Sequence, residues 1–259
     1  MKVIVTGSEG FIGKALCRTL EARGIEVIGI DRVNGLEAAD IEQVLMMGGI
    51  SCVYHLAAQT SVFNFDHKAI IDDNIITFKM VADCCDLYGV KLVYASSSTA
   101  NPENTTSLYG ISKHFCEQYA RIYCPTATGC RLHNVYGPEP RKGTLLWHLM
   151  QDSETTLYNY GQNMRCFTYI DDVVDGLIMA SECSKQLINI ANVQPVTVKY
   201  FAELVQSQSI CRYTLSDEKR AFDNLEQSVN GDVFLLPLSY TSVEEGLRRV
   251  FNGANRKNG

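Results

Sequence analysis

Two side chains that could move a proton lie four residues apart near the middle of the chain. Tyr109 and Lys113 follow Ser107, a residue type that often caps the N-terminus of a helix. Residues four apart on a helix share one face, so we expect the phenol and the ammonium to lie side by side. A nearby positive charge favours the phenolate form, and Tyr109 could then act as a base. Such pairs are common on helices, so this interpretation depends on the elements around the pair.

A cluster of hydroxyl groups precedes this pair in the chain. Residues 90–95 form a β-rich apolar run that predicts a buried strand, and Ser96, Ser97, Ser98 and Thr99 follow it. Open α/β sheets bind ligands at the carboxyl ends of their strands. A serine hydroxyl at this end could donate a hydrogen bond to a reacting substrate oxygen.

The first residues of the chain predict the unit that would hold a cofactor next to these groups. A strand over residues 2–6 and a helix over residues 14–23 flank a loop that contains Gly7, Gly10 and Gly13. Glycines at these points permit a tight turn, a close approach of the backbone to a pyrophosphate, and close packing of the helix on the strand. The free N–H groups and the positive dipole end of the helix would then face the pyrophosphate. This stretch therefore predicts dinucleotide binding.

The end of the next strand indicates which dinucleotide is bound. A β-rich run over residues 25–30 ends at Asp31, whose carboxylate could accept hydrogen bonds from ribose hydroxyls. The same negative charge would repel a 2′-phosphate, so the sequence favours NAD over NADP. Arg32 follows directly and could weaken that preference.

Composition narrows the class of protein. The chain has 259 residues, a formal net charge of −6 and ten cysteines, none of them in a C-x-x-C pair. Acidic proteins with a pI near 5.4 are poor candidates for nucleic-acid binding. No apolar run approaches the ~18 residues of a membrane span, and the N-terminus reads as a core strand rather than a signal peptide. We therefore expect a cytoplasmic protein with reduced cysteines, no membrane or nucleic-acid partner and no metal site.

Several motifs together resemble those of a known family. The glycine spacing is G-x-x-G-x-x-G, residues 55–59 read His-Leu-Ala-Ala-Gln, and Tyr109 and Lys113 form a Y-x-x-x-K pair. Residues 131–138 match R-x-x-N-V-Y-G-P, and residues 165–173 are similar to R-x-F-x-Y-V-x-D-V. The chain resembles the extended short-chain dehydrogenase/reductase family, in particular its NAD-dependent nucleotide-sugar epimerase/dehydratase group.

The resemblance extends over about residues 1–251 and implies a fold. We expect an α/β protein with a Rossmann-type doubly wound parallel sheet and a small, shortened C-terminal substrate-binding lobe. The NAD-binding core would occupy residues 1–137. Residues 138–259 would be mainly the substrate-binding lobe, with residues 166–191 returning to the core. The resemblance weakens after about residue 175, where the R-P-G-D segment of the family is not recognisable.

The resemblance also implies a role for each matching residue. Ser98, chosen over Ser96 and Ser97 by register with the family motif, would act in catalysis with Tyr109 and Lys113. The residues expected to contact NAD are Gly7, Gly10, Phe11, Ile12, Gly13, Asp31, Arg32, Asp40, Ile41, Leu56, Ala57, Ala58, Tyr109, Lys113 and His133. The residues expected to contact the substrate are Gln59, Ser97, Thr99, Asn134 and Arg165, where Arg165 would grip the diphosphate of a nucleotide sugar.

Three acidic residues have a second interpretation as helix caps. Asp40 precedes a helical run from Ile41, and aspartate is a good N-cap. Asp171 and Asp172 look like a pair of catalytic acids, but their position favours capping of a helix that starts at Val173.

The implied activity is that of an NAD-dependent nucleotide-sugar epimerase, which transiently oxidises a sugar hydroxyl, at C4 by our expectation. Dehydratases of the family carry an Asp-Glu pair where this chain has Thr99-Ala100, so dehydration is disfavoured. A nucleotide-keto-sugar reductase or reductase–epimerase that uses NAD or NADP is an alternative. A non-catalytic NAD-binding scaffold or sensor is another, and the shortened C-terminal lobe is the feature that favours it.

A homodimer is the last expectation from the resemblance. Family members pair the helices that correspond to residues 74–88 and 107–123. The apolar residues Ile75, Phe78, Phe115 and Tyr119 would then lie at the dimer contact, or they would belong to the core.

Overall fold

The computed structural model describes residues 1–151, 153–220, 223, 226–227, 229 and 231–255. Its strands are β1 (Lys2–Thr6), β2 (Glu26–Ile30), β3 (Ile50–His55), β4 (Lys91–Ser97), β5 (Thr128–Leu132), β6 (Val135–Tyr136), β7 (Thr155–Leu157), β8 (Met164–Arg165), β9 (Thr168–Tyr169), β10 (Leu187–Ile190), β11 (Val196–Thr197), β12 (Tyr213–Leu215), β13 (Glu226–Gln227) and β14 (Phe234–Leu235).

Helices alternate with the longer strands, as expected for an α/β protein. They are α1 (Phe11–Ala22), α2 (Ile41–Leu45), α3 (His67–Ile70), α4 (Thr77–Leu87), α5 (Leu108–Tyr123), α6 (Leu145–Leu149), α7 (Ile170–Ala180), α8 (Val198–Gln208) and α9 (Val243–Asn255). A π-helical segment, Ile71–Ile76, joins α3 to α4. Short 3-10 turns are Arg32–Asn34, Ala38–Asp40, Ser98–Ala100, Pro102–Asn104 and Asn159–Gly161.

The chain divides into two compact units. Unit 1 comprises Met1–Leu132, Val174–Ile190 and the described part of Asn230–Leu236; unit 2 comprises the described parts of His133–Val173, Ala191–Val229 and Pro237–Gly259. The assignment of cofactor binding to the first part of the chain and substrate binding to the second stays a prediction.

Unit 1 is built on a parallel sheet. Among the described residues the sheet has seven strands in the order β14-β10-β5-β4-β3-β1-β2. Each neighbouring pair in it is parallel. The order reverses between β3 and β1, which is the topology of a doubly wound sheet. The predicted fold class is therefore confirmed for this part of the chain.

Helices and strands of unit 1 bury a continuous apolar core. Ile4, Val53 and Leu92 from three central strands have no exposed surface, and they pack with Phe78 of α4. Phe78 also meets the ring of Tyr94 edge-on, with centroids 4.9 Å apart. Of the two places predicted for Phe78, the core is therefore correct.

Unit 2 has a smaller core of aromatic side chains. Phe167 stacks on Phe201 of α8 with ring centroids 4.0 Å apart, and Tyr136 packs edge-on against both. A Cβ at Gly246 would lie 2.0 Å from the Tyr136 hydroxyl oxygen, so only glycine lets α9 approach this closely. Helix α9 therefore packs against the aromatic core of unit 2.

Helix α2 begins at Ile41 as predicted, but the capping role of Asp40 and the predicted start at Asn74 are wrong, each for a local reason. Asp40 lies at the end of a 3-10 turn with φ −87° and ψ 10°, and its side chain forms no capping hydrogen bond with a described residue. A capping side chain needs an extended backbone, which this turn does not provide. The helix predicted from Asn74 begins earlier, at His67, because Asp66 caps it through the Ala69 amide at 3.0 Å.

The predicted capping role of Asp171 and Asp172 is also wrong. Helix α7 begins at Ile170, so both residues lie within its first turn. The Asp172 carboxylate instead accepts two hydrogen bonds from Thr241, from the amide at 2.7 Å and from the hydroxyl at 2.9 Å. This carboxylate therefore ties α7 to the segment before α9 within unit 2.

Candidate active site

The glycine-rich loop has the geometry that a bound pyrophosphate requires. Gly7 adopts φ +71°, and a Cβ there would lie 2.7 Å from the Ala57 amide nitrogen. A Cβ at Gly13 would lie 2.0 Å from the Gly7 carbonyl oxygen, so α1 can pack on the loop only without a side chain. Gly10 occupies the N-cap of α1 and has no side chain to accept the first-turn amides. Those amides can therefore bind an anion, which fits a dinucleotide.

Asp31 connects the end of β2 to this loop. Its carboxylate accepts hydrogen bonds from the Glu9 amide at 3.1 Å and the Val33 amide at 3.0 Å. A carboxylate that is fixed beside the glycine-rich loop is the expected partner for ribose hydroxyls. Phe11 and Ile12 open α1 next to it, at the positions predicted to contact the cofactor.

The guanidinium of Arg32 is held by two other acidic residues. It donates two hydrogen bonds to Glu37, at 2.9 and 3.1 Å, and two to Asp73, at 2.7 and 2.9 Å. Asp73 lies in the π-helical segment, far from Arg32 in sequence. Neither of these two partners of Arg32 is evident from the sequence.

The segment after β3 is fixed against the loop by backbone and side-chain hydrogen bonds. The Leu56 amide donates to the Thr6 carbonyl at 3.1 Å, and the Ala57 amide donates to the Thr6 hydroxyl at 3.3 Å. The buried amide group of Asn74 accepts from the Gln59 amide at 2.7 Å and donates to the Gln59 carbonyl at 3.0 Å. Residues 56–59 are therefore held in one conformation, as a cofactor-binding segment requires.

His55 is buried at the end of β3. Its Nδ1 atom lies 2.8 Å from the Thr6 hydroxyl, and only 3 % of the residue is exposed. Burial, helped by the nearby charge of Lys113, lowers the pKa of His55 to about 3. The imidazole is therefore neutral at physiological pH, and it is no candidate for an exposed base.

The three serines that follow β4 have different surroundings. The Ser96 hydroxyl donates to Glu117 at 2.6 Å and thus faces α5. The Ser97 hydroxyl accepts from the Thr99 amide at 3.2 Å and lies 2.9 Å from the Thr99 hydroxyl. Ser98 begins the 3-10 turn and is largely buried. The Ser96 hydroxyl is thus already hydrogen-bonded to α5. The catalytic role of Ser98 stays a prediction.

Helix α5 brings Tyr109 and Lys113 to the same strand end. Ser107 caps it through the Gly110 amide at 3.2 Å, so the predicted cap is confirmed. The Lys113 ammonium donates to the Ala95 carbonyl of β4 at 3.0 Å. A Cβ at Gly110 would lie 2.7 Å from the Thr99 carbonyl oxygen, so the first turn of α5 packs directly on the hydroxyl cluster. Tyr109 is half-buried there.

A buried ion pair lies one helical turn beyond Lys113. The Arg131 guanidinium donates two hydrogen bonds to the Glu117 carboxylate, one from Nε at 2.8 Å and one from an Nη atom at 2.7 Å. The sequence reasoning did not single out Glu117. An acidic residue four positions after Lys113, on the inner face of α5, was the signal that could have found it.

Unit 2 carries three of the predicted residues. His133 is buried, and Asn134 has φ +33° with its carbonyl accepting from the Thr168 amide at 3.3 Å. The Arg165 guanidinium donates to the Asp223 carboxylate and, at 2.7 Å, to the Met164 carbonyl. Burial lowers the pKa of Arg165, and the charge of Asp223 opposes that shift. Arg165 therefore already has one anionic partner, and a diphosphate would have to share or displace it.

The structure of unit 1 brings most of the predicted cofactor and catalytic residues to the carboxyl ends of adjacent strands. These residues follow β1, β2, β3 and β4, or lie on the helix packed against β4. Ile41 has no exposed surface and belongs to the core. The cofactor contacts predicted for Asp40 and Ile41 stay predictions. Within the described ranges, no group of three or more His, Cys, Asp or Glu residues could hold a metal ion. No helix among those residues is both long enough and apolar enough to cross a membrane.

The fold and the loop define a dinucleotide-binding α/β protein, and comparisons with known proteins identify its family. Residues 3–191 match the NAD dependent epimerase/dehydratase family. The chain therefore belongs to that family, whose members are enzymes of the extended short-chain dehydrogenase/reductase type, and its cofactor is NAD.

Individual relatives show what the chain is similar to. Protein CapI of Staphylococcus aureus is 26 % identical over 320 aligned positions, which include 96 % of this chain and 92 % of CapI. The UDP-glucuronic acid 4-epimerase of Bacillus cereus, solved with UDP-glucuronic acid and NAD, superposes with a TM-score of 0.81 at 22 % identity, covering 99 % and 100 % of the two chains. The NDP-hexosamine 5,6-dehydratase TunA superposes with a TM-score of 0.84 at 25 % identity, covering 98 % of each chain.

Proposed function

We propose that the protein is an NAD-dependent nucleotide-sugar epimerase that inverts a sugar hydroxyl, at C4, through a transient keto sugar. The observation that carries the proposal is the placement of Tyr109 and Lys113 on α5. The Lys113 ammonium is anchored on the Ala95 carbonyl at 3.0 Å, immediately before the serine cluster at the end of β4. In this proposal Tyr109, Lys113 and the serine cluster would supply a base, a cation and hydroxyl donors at the carboxyl end of β4, in the same unit as the glycine-rich loop.

The residues have distinct roles in this mechanism. Tyr109 takes the proton from the sugar hydroxyl as the general base, and Lys113 supplies a positive charge one turn further along α5. The Ser98 hydroxyl donates a hydrogen bond to the same sugar oxygen and holds it in position. Bound NAD supplies the hydride acceptor and donor, so the reaction consumes no net cofactor. The Tyr109 hydroxyl would give the proton back to the sugar oxygen when the keto group is reduced again from its opposite face.

Cofactor and substrate are assigned to different sets of residues. Gly7, Gly10 and Gly13 with Asp31 would bind NAD, together with the segment Leu56–Gln59. The residues assigned to a nucleotide-diphosphate sugar are Gln59, Ser97, Thr99, Asn134 and Arg165. The relative from Bacillus cereus is a UDP-sugar enzyme, which supports UDP-sugars as the first substrates to test.

Dehydration is the reaction that must be distinguished from epimerisation, because one of the similar structures is the dehydratase TunA. Thr99 and Ala100 follow the serines in this chain, and neither can act as an acid or base near neutral pH. The absence of acids from these two positions supports epimerisation over dehydration.

The proposed homodimer would use α4 and α5. Exposed apolar side chains occur on both helices, at Met80 and Leu87 of α4 and at Ile111, Ile122 and Tyr123 of α5. Solvent-exposed apolar residues on neighbouring helices are suited to a contact between two copies of the chain. Sedimentation of the purified protein would measure its oligomeric state.

An NMR turnover assay tests the function. Purified protein is incubated with catalytic NAD and a panel of UDP-, GDP- and dTDP-sugars, and Tyr109→Phe serves as the control. We expect one sugar to equilibrate with its epimer without net NADH, and the variant to be inactive. Oxidation of NAD(P)H by a keto sugar would make the protein a reductase. NAD binding without turnover of any sugar would favour the non-catalytic scaffold or sensor.

A further inference from the structure

Two carboxylates pair with the guanidinium that follows β2, and a third carboxylate belongs to the residue before it in the chain. Asp31 precedes Arg32 in sequence, Glu37 lies five residues later, and Asp73 comes from the π-helical segment. Arg32 makes a bidentate pair with Asp73 and a second pair with Glu37, all four hydrogen bonds at 3.1 Å or less. With four formal charges, this cluster carries a net charge of about −2 at neutral pH.

The cluster lies where the two dinucleotides differ. A carboxylate at the end of the second strand binds the ribose hydroxyls of NAD, and a nearby arginine is the group that accommodates the 2′-phosphate of NADP. Asp31 and Arg32 place both groups side by side in this chain. Whether Arg32 can reach a 2′-phosphate then depends on what already binds its guanidinium.

Asp73 is held in position independently of Arg32. Its Oδ2 atom also accepts a hydrogen bond from the Gln59 side chain at 2.7 Å, and its side chain is only 13 % exposed. The next residue, Asn74, is buried and makes three side-chain hydrogen bonds, two to the Gln59 backbone and one to the Ser112 hydroxyl at 3.0 Å. Arg32 also lowers the pKa of Asp73, which keeps this carboxylate charged. Asp73 is thus a fixed acceptor, whereas Glu37 and Arg32 are more exposed.

We propose that Asp73 and Glu37 strengthen the preference of this enzyme for NAD over NADP by neutralising Arg32. Glu37 accepts hydrogen bonds from Nε of Arg32, and Asp73 accepts them from both Nη atoms, so each guanidinium nitrogen already has an acidic partner. The two carboxylates also add negative charge beside the position of a 2′-phosphate. Arg32 is therefore a latent phosphate-binding residue whose charge is neutralised by acids from two other segments. The inference concerns the cofactor site alone and holds whichever sugar the enzyme uses.

Direct binding measurements test this without a substrate. Dissociation constants for NAD and for NADP are measured by calorimetry on the full chain at one fixed ionic strength, because exposed charges are screened by salt. The variants are Glu37→Gln, Asp73→Asn and the double variant. We expect NADP affinity to rise about tenfold relative to NAD in the double variant, with a smaller rise in each single variant. The preference should not invert, since Asp31 remains.

Two further variants show whether the effect acts through Arg32. Asp72→Asn removes the same charge from the neighbouring residue, which pairs with Lys68 rather than with Arg32, and it should leave the NAD:NADP ratio unchanged. Adding Arg32→Gln to the double variant should abolish the gain. An unchanged ratio in the double variant overturns the proposal, and so does a gain that survives loss of Arg32.

Folding and function are distinguished within the same experiment. Glu37 is exposed on a surface turn, so Glu37→Gln reports on the proposal even where Asp73→Asn weakens the fold. No change in its ratio counts against the proposal. If the unmodified chain did not bind NAD, that result would instead overturn the cofactor site itself, and with it the proposed epimerase function.

Discussion

The buried Glu117–Arg131 pair allows a quantitative prediction about what stabilises unit 1. Glu117 is on α5, one turn after Lys113, and Arg131 is on β5, the strand next to β4. Their side chains are 3 % and 6 % exposed, and Glu117 also accepts a hydrogen bond from Ser96 of β4 at 2.6 Å. The pair therefore joins the helix that carries Tyr109 to two central strands.

Removing one partner should cost far more than removing both. Glu117→Leu leaves the Arg131 guanidinium buried without its counter-charge, and Arg131→Met leaves the carboxylate in the same condition. We expect each single variant to lose about 3–5 kcal/mol of unfolding free energy. For a chain of this size, that corresponds to a fall in Tm of roughly 6–20 °C. The double variant keeps no buried charge from the pair and should lose less than either single variant.

Thermal unfolding monitored by circular dichroism measures this double-mutant cycle. Asp72→Asn, which breaks the exposed pair with Lys68, is the matched control and should leave the free energy of unfolding nearly unchanged. Single variants of Glu117 and Arg131 that unfold within about 1 kcal/mol of the unmodified chain would refute the reasoning. A double variant that loses the sum of the two single losses would also refute it, because the two charges would then be independent.

Three other predictions concern His55, the glycine-rich loop and α7. Folded His55 stays neutral down to about pH 3, whereas unfolded histidine takes up a proton below about 6.5, so this residue should lower stability by about 2 kcal/mol between pH 6.5 and 5. Denaturant titrations at several pH values check this, and a His55→Gln variant with the same pH slope would contradict it. Gly13→Ala should weaken NAD binding at least tenfold in calorimetry, because its Cβ meets the loop carbonyl at 2.0 Å; Gly253→Ala, which meets no atom within 4 Å, should bind normally. Equal binding by the two variants would contradict the loop geometry. Asp172→Ala should lose about 1.5–3 kcal/mol of unfolding free energy, since two hydrogen bonds to Thr241 disappear; an unchanged Tm would show that they contribute nothing.

Local signals in the sequence predicted the elements that hold the site. The glycine spacing, the β-rich run before it and the acid at the next strand end predicted the dinucleotide loop, which Gly7 and Gly13 form in the structure. Ser107 predicted the start of α5, and its hydroxyl accepts from the Gly110 amide as expected. These predictions succeed because each depends on residues close together in the chain, whose backbone preferences and periodicity are visible without the fold.

Helix boundaries were harder to predict because several competing residues could set them. Asp40 and the pair Asp171 and Asp172 are all good capping residues, yet none of them caps the helix that was assigned to it. The π-helical segment around Asn74 had no sequence signal at all. Its position follows from the hydrogen bonds of Asn74 with Gln59 and Ser112, which are distant in sequence.

By itself, the sequence determined the fold class, the dinucleotide loop and the Tyr109–Lys113 pair. Only the tertiary structure decided which charges meet: Arg32 with Asp73, Glu117 with Arg131, and Arg165 with Asp223. The sequence alone does not show which acidic residue each arginine pairs with. The packing of strands, helices and loops brings residues that are 14 to 58 positions apart into contact, and the partner of a charge depends on that packing.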